Sequence, residues 1–100
     1  MRHFVFVTVF FSVASGAAMA GPIEVACLKS DRARGQVALC GCIQDAADMT
    51  LTKRDQKLAA SFFSDPHRAQ EIRQSDSRRH EAFWDRYKNF GLAAETFCRR

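Results

Sequence analysis

The chain has 100 residues, 15 of them Lys or Arg and 11 Asp or Glu, for a net charge of +4, and it contains four cysteines. That length allows one small domain and excludes multidomain enzymes. The mild basicity, with acidic residues interspersed, excludes a strongly cationic nucleic-acid-binding tail.

Met1 to His3 include one arginine, and Phe4 to Ala14 follow as a nearly unbroken apolar run ending in the small residues Ser15 to Ala20. This order of a basic start, an apolar run and small residues predicts a signal peptide over 1–20. Ala18 and Ala20 stand three and one residues before a cut at Gly21, where a signal peptidase admits only small side chains. The apolar run is about half the roughly 20 residues a spanning helix needs, so no stable membrane insertion is expected. Lipidation would need Cys27 directly after the run, but Gly21 to Ala26 intervene. Loss of 1–20 removes one arginine and leaves 80 residues with a charge of +3.

A single apolar core in a chain of that size barely offsets conformational entropy, and natural proteins of this size add disulfides, metal or a partner. Cys27, Cys40, Cys42 and Cys98 make an even set in an exported chain, which predicts two disulfides. Cys40 and Cys42 are not expected to pair with each other, because residues two apart on a helix point away from one another. Cys27 can bridge to either of them, closing a loop of about 15 residues that contributes roughly 3 kcal/mol in the chain-entropy model. A bridge to Cys98 would tie the last segment to the first, with a longer loop and a somewhat larger effect.

Residues 21–35, with Pro22, Gly35 and mixed charge, show no sustained period and are expected to form an irregular arm. From Gln36 the spacing of Leu39, Cys42, Ile43 and Ala46 predicts a helix, with Gln44, Asp45 and Asp48 on its polar side. Thr52 with Asp55 resembles a capping box, Asp replacing the usual Glu, and opens a helix striped by Leu58, Ala59, Phe62 and Phe63. Asp65-Pro66 ends that helix and begins the next. Residues 66–90 can be one helix or two, since Ser75 to Ser77 offer a cap or a kink. Phe83, Trp84, Tyr87 and Phe90 form an aromatic stripe, Gly91 suits a helix end, and Leu92 to Cys98 suit a last short turn with Phe97 and Cys98 inward. No segment alternates with period two. The fold class is therefore all-α: a small bundle of three to five short helices over 36–100, stapled by two disulfides, with Phe62, Phe63, Phe83, Trp84, Tyr87, Phe90 and Phe97 as core candidates.

The Cys40-Gly41-Cys42 pair could bind a soft metal ion or exchange disulfides, and with Cys27, Cys98, His67 and His80 a zinc set can be drawn. Structural zinc sites favour C-x2-4-C and redox proteins C-x-x-C on a fold with strands, so no metal and no cofactor are expected. His67 and His80 are candidate pH-sensing residues, because histidine changes charge near pH 6. Catalytic sets can be drawn only from sequence neighbours, His80 with Asp76 and Ser77 or His67 with Asp65. No phosphate loop, H-E-x-x-H or G-x-S-x-G is present, and no enzyme is expected.

Basic residues gather in the second half, at Arg68, Arg73, Arg78, Arg79, Arg86 and Lys88, with Arg99 and Arg100 at the end. Glu71, Asp76, Glu81 and Asp85 dilute the field, and Asp85 and Lys88 are spaced to pair. Arg68, Arg79, Trp84 and Arg86 are the candidate partner-binding residues. The partner expected is an envelope protein or an anionic macromolecule, not nucleic acid, and an exposed aromatic face could support a homodimer.

Several segments carry a resemblance: Leu39-Cys40-Gly41-Cys42-Ile43-Gln44, Phe62-Phe63-Ser64-Asp65-Pro66-His67 with Ala69-Gln70, and Ile72-Arg73-Gln74-Ser75-Asp76. It continues through Phe83-Trp84, Arg86-Tyr87 and Phe90-Gly91 to Cys98. Through these the chain resembles a family of short exported alphaproteobacterial proteins, uncharacterised or labelled "arginine transporter". The resemblance implies export and small size. It implies no transport, which requires membrane spans that the processed chain lacks. The function expected is a non-enzymatic periplasmic or secreted binding protein, accessory or chaperone-like; the alternative is a small ligand or metal carrier using the cysteine and histidine set.

Overall fold

The computed structural model describes residues 3–5, 7–8 and 20–99, so most of the expected signal segment 1–20, and Arg100, lie outside the described residues. Among the described residues there are five helices and no strand: α1 (Pro22–Lys29), α2 (Val37–Thr50), α3 (Lys53–Ser64), α4 (Pro66–Arg73) and α5 (Arg78–Cys98). None is long and apolar enough to cross a membrane.

The expected irregular arm is instead mostly helical. Pro22 sits at the first position of α1, where its missing N–H costs nothing and its fixed φ suits the helix. Ile23 and Cys27, four residues apart, bury its inner face. Two turns are too short to display a period, which is why the pattern hid this helix. A turn over 31–35 follows and ends at Gly35, whose φ of 76° is costly for a side-chain-bearing residue.

α2 buries Cys40, Ala46 and Ala47, but also Gln44, expected on the polar side. The start of α1 lands on Gln44. Its Oε1 accepts from the Glu24 backbone N–H at 2.9 Å, supplying the cap that Gly21 cannot. Its Nε2 donates to Asp48 and to Gln56 Oε1, both at 2.8 Å. The carboxamide lies so close to Gly21 that a β-carbon there would collide with it.

Thr52 caps α3 as expected, with both bonds of the capping box present. Asp65 and Pro66 separate α3 from α4. Gln74 to Ser77 separate α4 from α5, so 66–90 form two helices. Gly91 does not end α5, which continues unbroken to Cys98 and delivers that sulfur to Cys42. Phe97, one residue and 100° from the tethered Cys98, consequently turns outward and is 67% exposed rather than part of the core.

The main core joins Ile23, Ala46, Ala47, Leu51, Ala59, Phe62, Ile72, Phe83 and Phe90, with Phe63, Trp84 and Tyr87 packed on it. Phe62 meets Phe83 and Tyr87 edge-on at centroid distances of 5.9 and 5.3 Å, and Phe83 stacks on Tyr87 at 5.6 Å. A smaller cluster surrounds Cys27, Ala33 and Cys40. The disulfides are Cys27–Cys40 and Cys42–Cys98, with Cα separations of 5.6 and 5.7 Å.

Candidate functional site

On α5 the residues Arg79, Ala82, Phe83 and Arg86 recur at three and four positions and so share one face. On α3 Asp55 and Leu58 do the same beside Arg54. Together with His80 these side chains line a groove of about 370 Å³ between the first turns of the two helices. Leu58, Ala82 and Phe83 supply apolar side chains, and the lining also holds three arginines, Arg54, Arg79 and Arg86, and one carboxylate, Asp55.

That carboxylate is already engaged. Arg86 donates Nε–H to Asp55 Oδ2 at 2.6 Å and Nη2–H to Oδ1 at 2.9 Å, a bidentate pair across 31 residues of sequence. Asp55 Oδ2 also accepts from the Thr52 backbone N–H at 3.1 Å, while its own N–H donates to Thr52 Oγ1. One side chain thus closes the capping box and clamps α5 to α3. Its side chain is only 6% exposed. The hydrogen bonds from Arg86 hold its carboxyl below the ordinary range against the opposing effect of burial, with Thr52 assisting, and the same pair raises the Arg86 pKa.

Arg54 and Arg79 are exposed, and neither is in an ion pair among the described residues. The expected binding set is therefore only partly gathered. Arg79 and Arg86 meet in the groove; Arg68 pairs with Glu71 at 2.9 Å on α4, and half-buried Trp84 packs against Tyr87 at 5.1 Å. Arg54, Leu58 and Ala82 were not legible as site residues, because nothing local joins residues 54–58 to 79–86. The Asp85–Lys88 pair forms at 3.6 Å.

The two candidate pH-sensing histidines are in unlike places. His67 lies in the open, 3.6 Å from Glu71. His80 Nδ1 shares a 2.6 Å hydrogen bond with Ser75 Oγ, which also accepts from the Ser77 N–H. The serine closes the turn into α5, so this contact organises a loop; Asp76 and Ser77, the neighbours proposed from sequence, do not meet the ring in that bond. All four sulfurs are in disulfides, which leaves no thiolate among them, and no group of three or more His, Cys, Asp or Glu suited to a metal occurs among the described residues. No family model, no curated protein and no solved structure matches the chain.

Proposed function

We propose that the chain is a non-enzymatic binding protein of the bacterial envelope, accessory or chaperone-like, acting in the periplasm or after secretion once the signal peptide is removed. The groove carries this reading: three arginines converge above an apolar floor, and two of them have no acidic partner among the described residues. Such a surface attracts anionic macromolecules through its field and retains them through apolar contact. Two disulfides support an oxidising compartment, where such bonds persist. The histidines support a non-catalytic reading: one is surface-exposed and the other is bonded to a turn serine.

The purified protein is expected to suppress aggregation of an unfolding acidic client, followed by light scattering at neutral and mildly acid pH, and to do so less well as salt rises. Absence of both suppression and salt-sensitive retention of an envelope protein would remove the proposal.

A further inference from the structure

We infer that the α3–α5 groove takes a short acidic peptide segment of a partner protein, in which an aliphatic side chain lies between carboxylates. This rests on the binding role proposed above and narrows it to an occupant.

Arg86 has five N–H donors and spends two on Asp55, so three remain on a guanidinium whose orientation is already set. A carboxylate arriving there meets a donor that loses little freedom on binding, and Arg79 and Arg54 add charge from either helix. The floor between them is short, consisting of Leu58, Ala82 and Phe83. It suits one or two aliphatic side chains. A polyphosphate or acidic polysaccharide would leave that floor uncovered, and a lipid acyl chain would extend well beyond it. About 370 Å³ is at the small end of pockets that enclose a ligand, which fits a few residues of a chain. The charges complement such a segment: the one acidic side chain in the lining is neutralised by Arg86, so the unpaired charges facing a ligand are cationic.

The test is fluorescence anisotropy with a labelled, amidated Asp-Leu-Asp-Leu-Asp-Gly peptide and the oxidised protein purified after export. Saturable binding is expected. It should weaken at least tenfold when Asn replaces each Asp of the peptide, when Ser replaces each Leu, and in the double variant Arg54→Ser/Arg79→Ser. Lys88→Ser, outside the groove, should bind like the unchanged protein. Both arginines are exposed, so the double variant is expected to fold, which its circular dichroism spectrum checks. Equal binding of the Asn peptide, or an unaffected double variant, overturns the inference. So does retention on phosphatidylglycerol vesicles without peptide binding, which assigns the groove to lipid. If the double variant still suppresses client aggregation while the peptide does not bind, the groove assignment fails and the wider binding role stands. If the unchanged protein does neither, both fall.

Discussion

The two ends of α5 are held to the bundle by different means. Its last residue is tied covalently to α2 through Cys42–Cys98; Ala93 and Ala94 pack on the main core nearby in sequence, and Val37, Leu92 and Phe97 remain exposed on the joined helices. Residues 83–90 are held by Phe83 and Phe90 in the main core and by Arg86 on Asp55, with no covalent link. In a domain too small to rely on one apolar core, a cross-link fixes the far end of α5, where large apolar side chains stay exposed, while aromatic packing and the Arg86–Asp55 clamp hold the part nearer its start.

Cutting the cross-link tests this division most severely. With its cysteines 56 positions apart, Cys42→Ser/Cys98→Ser is expected to cost about 4 kcal/mol, and Cys27→Ser/Cys40→Ser, 13 positions apart, about 3 kcal/mol. Urea unfolding measures both. Hydrogen exchange discriminates further: in the first variant the amides of 91–98 should lose protection while those of 83–90 keep most of theirs. Uniform loss along α5 would show that the two ends are one cooperative unit and refute the contrast.

The polar clamp is the next largest effect. Arg86→Met leaves the buried Asp55 carboxylate without its main partner, and a cost of about 2 kcal/mol at pH 7 is expected, moderated because Arg86 is 42% exposed. Asp55 has a depressed carboxyl pKa in the folded protein, set first by Arg86. A group of this kind contributes its full stability above its unfolded value, and the contribution disappears as pH falls through the folded one. The gap between the two proteins should therefore be full near neutrality and close from about pH 4 downward. A gap that stays constant to pH 2 would mean that Arg86 acts through packing alone.

The same division explains what could be read from the chain. Thr52 with Asp55, and Asp65 with Pro66, act on neighbours a few residues away, so the ends of α3 and the start of α4 were legible. Phe83, Trp84, Tyr87 and Phe90 repeat with the helical period, so the packed face of α5 was too. The four cysteines announced two bridges, and excluding Cys40–Cys42 left their true pairing among the open choices. Gln44 illustrates the opposite: its burial depends on α1, twenty residues earlier, arriving on top of it. Gly91 ends helices when nothing beyond needs them, but here Cys98 must reach Cys42. The groove was half legible for the same reason, since Arg79 and Arg86 lie on one basic helix whereas Arg54 joins them only through tertiary packing.

The smallest effect is the most specific. Thr52→Ala removes the hydroxyl that accepts the Asp55 N–H and should cost about 1 kcal/mol, while Thr52→Ser, which keeps the acceptor, should cost much less. Thr52 and Arg86 are distant in sequence and act on the same Asp55 residue, one through its backbone N–H and carboxylate, the other through the carboxylate alone. Once Arg86 is replaced, Asp55 is free to turn away from α5 and its capping geometry loosens, so part of the cap is already lost. The double variant Thr52→Ala/Arg86→Met should accordingly be less destabilised than the two single losses added, by about 0.5 kcal/mol or more. Strict additivity in urea unfolding would show that cap and clamp are independent, and that Asp55 does not join the start of α3 to α5.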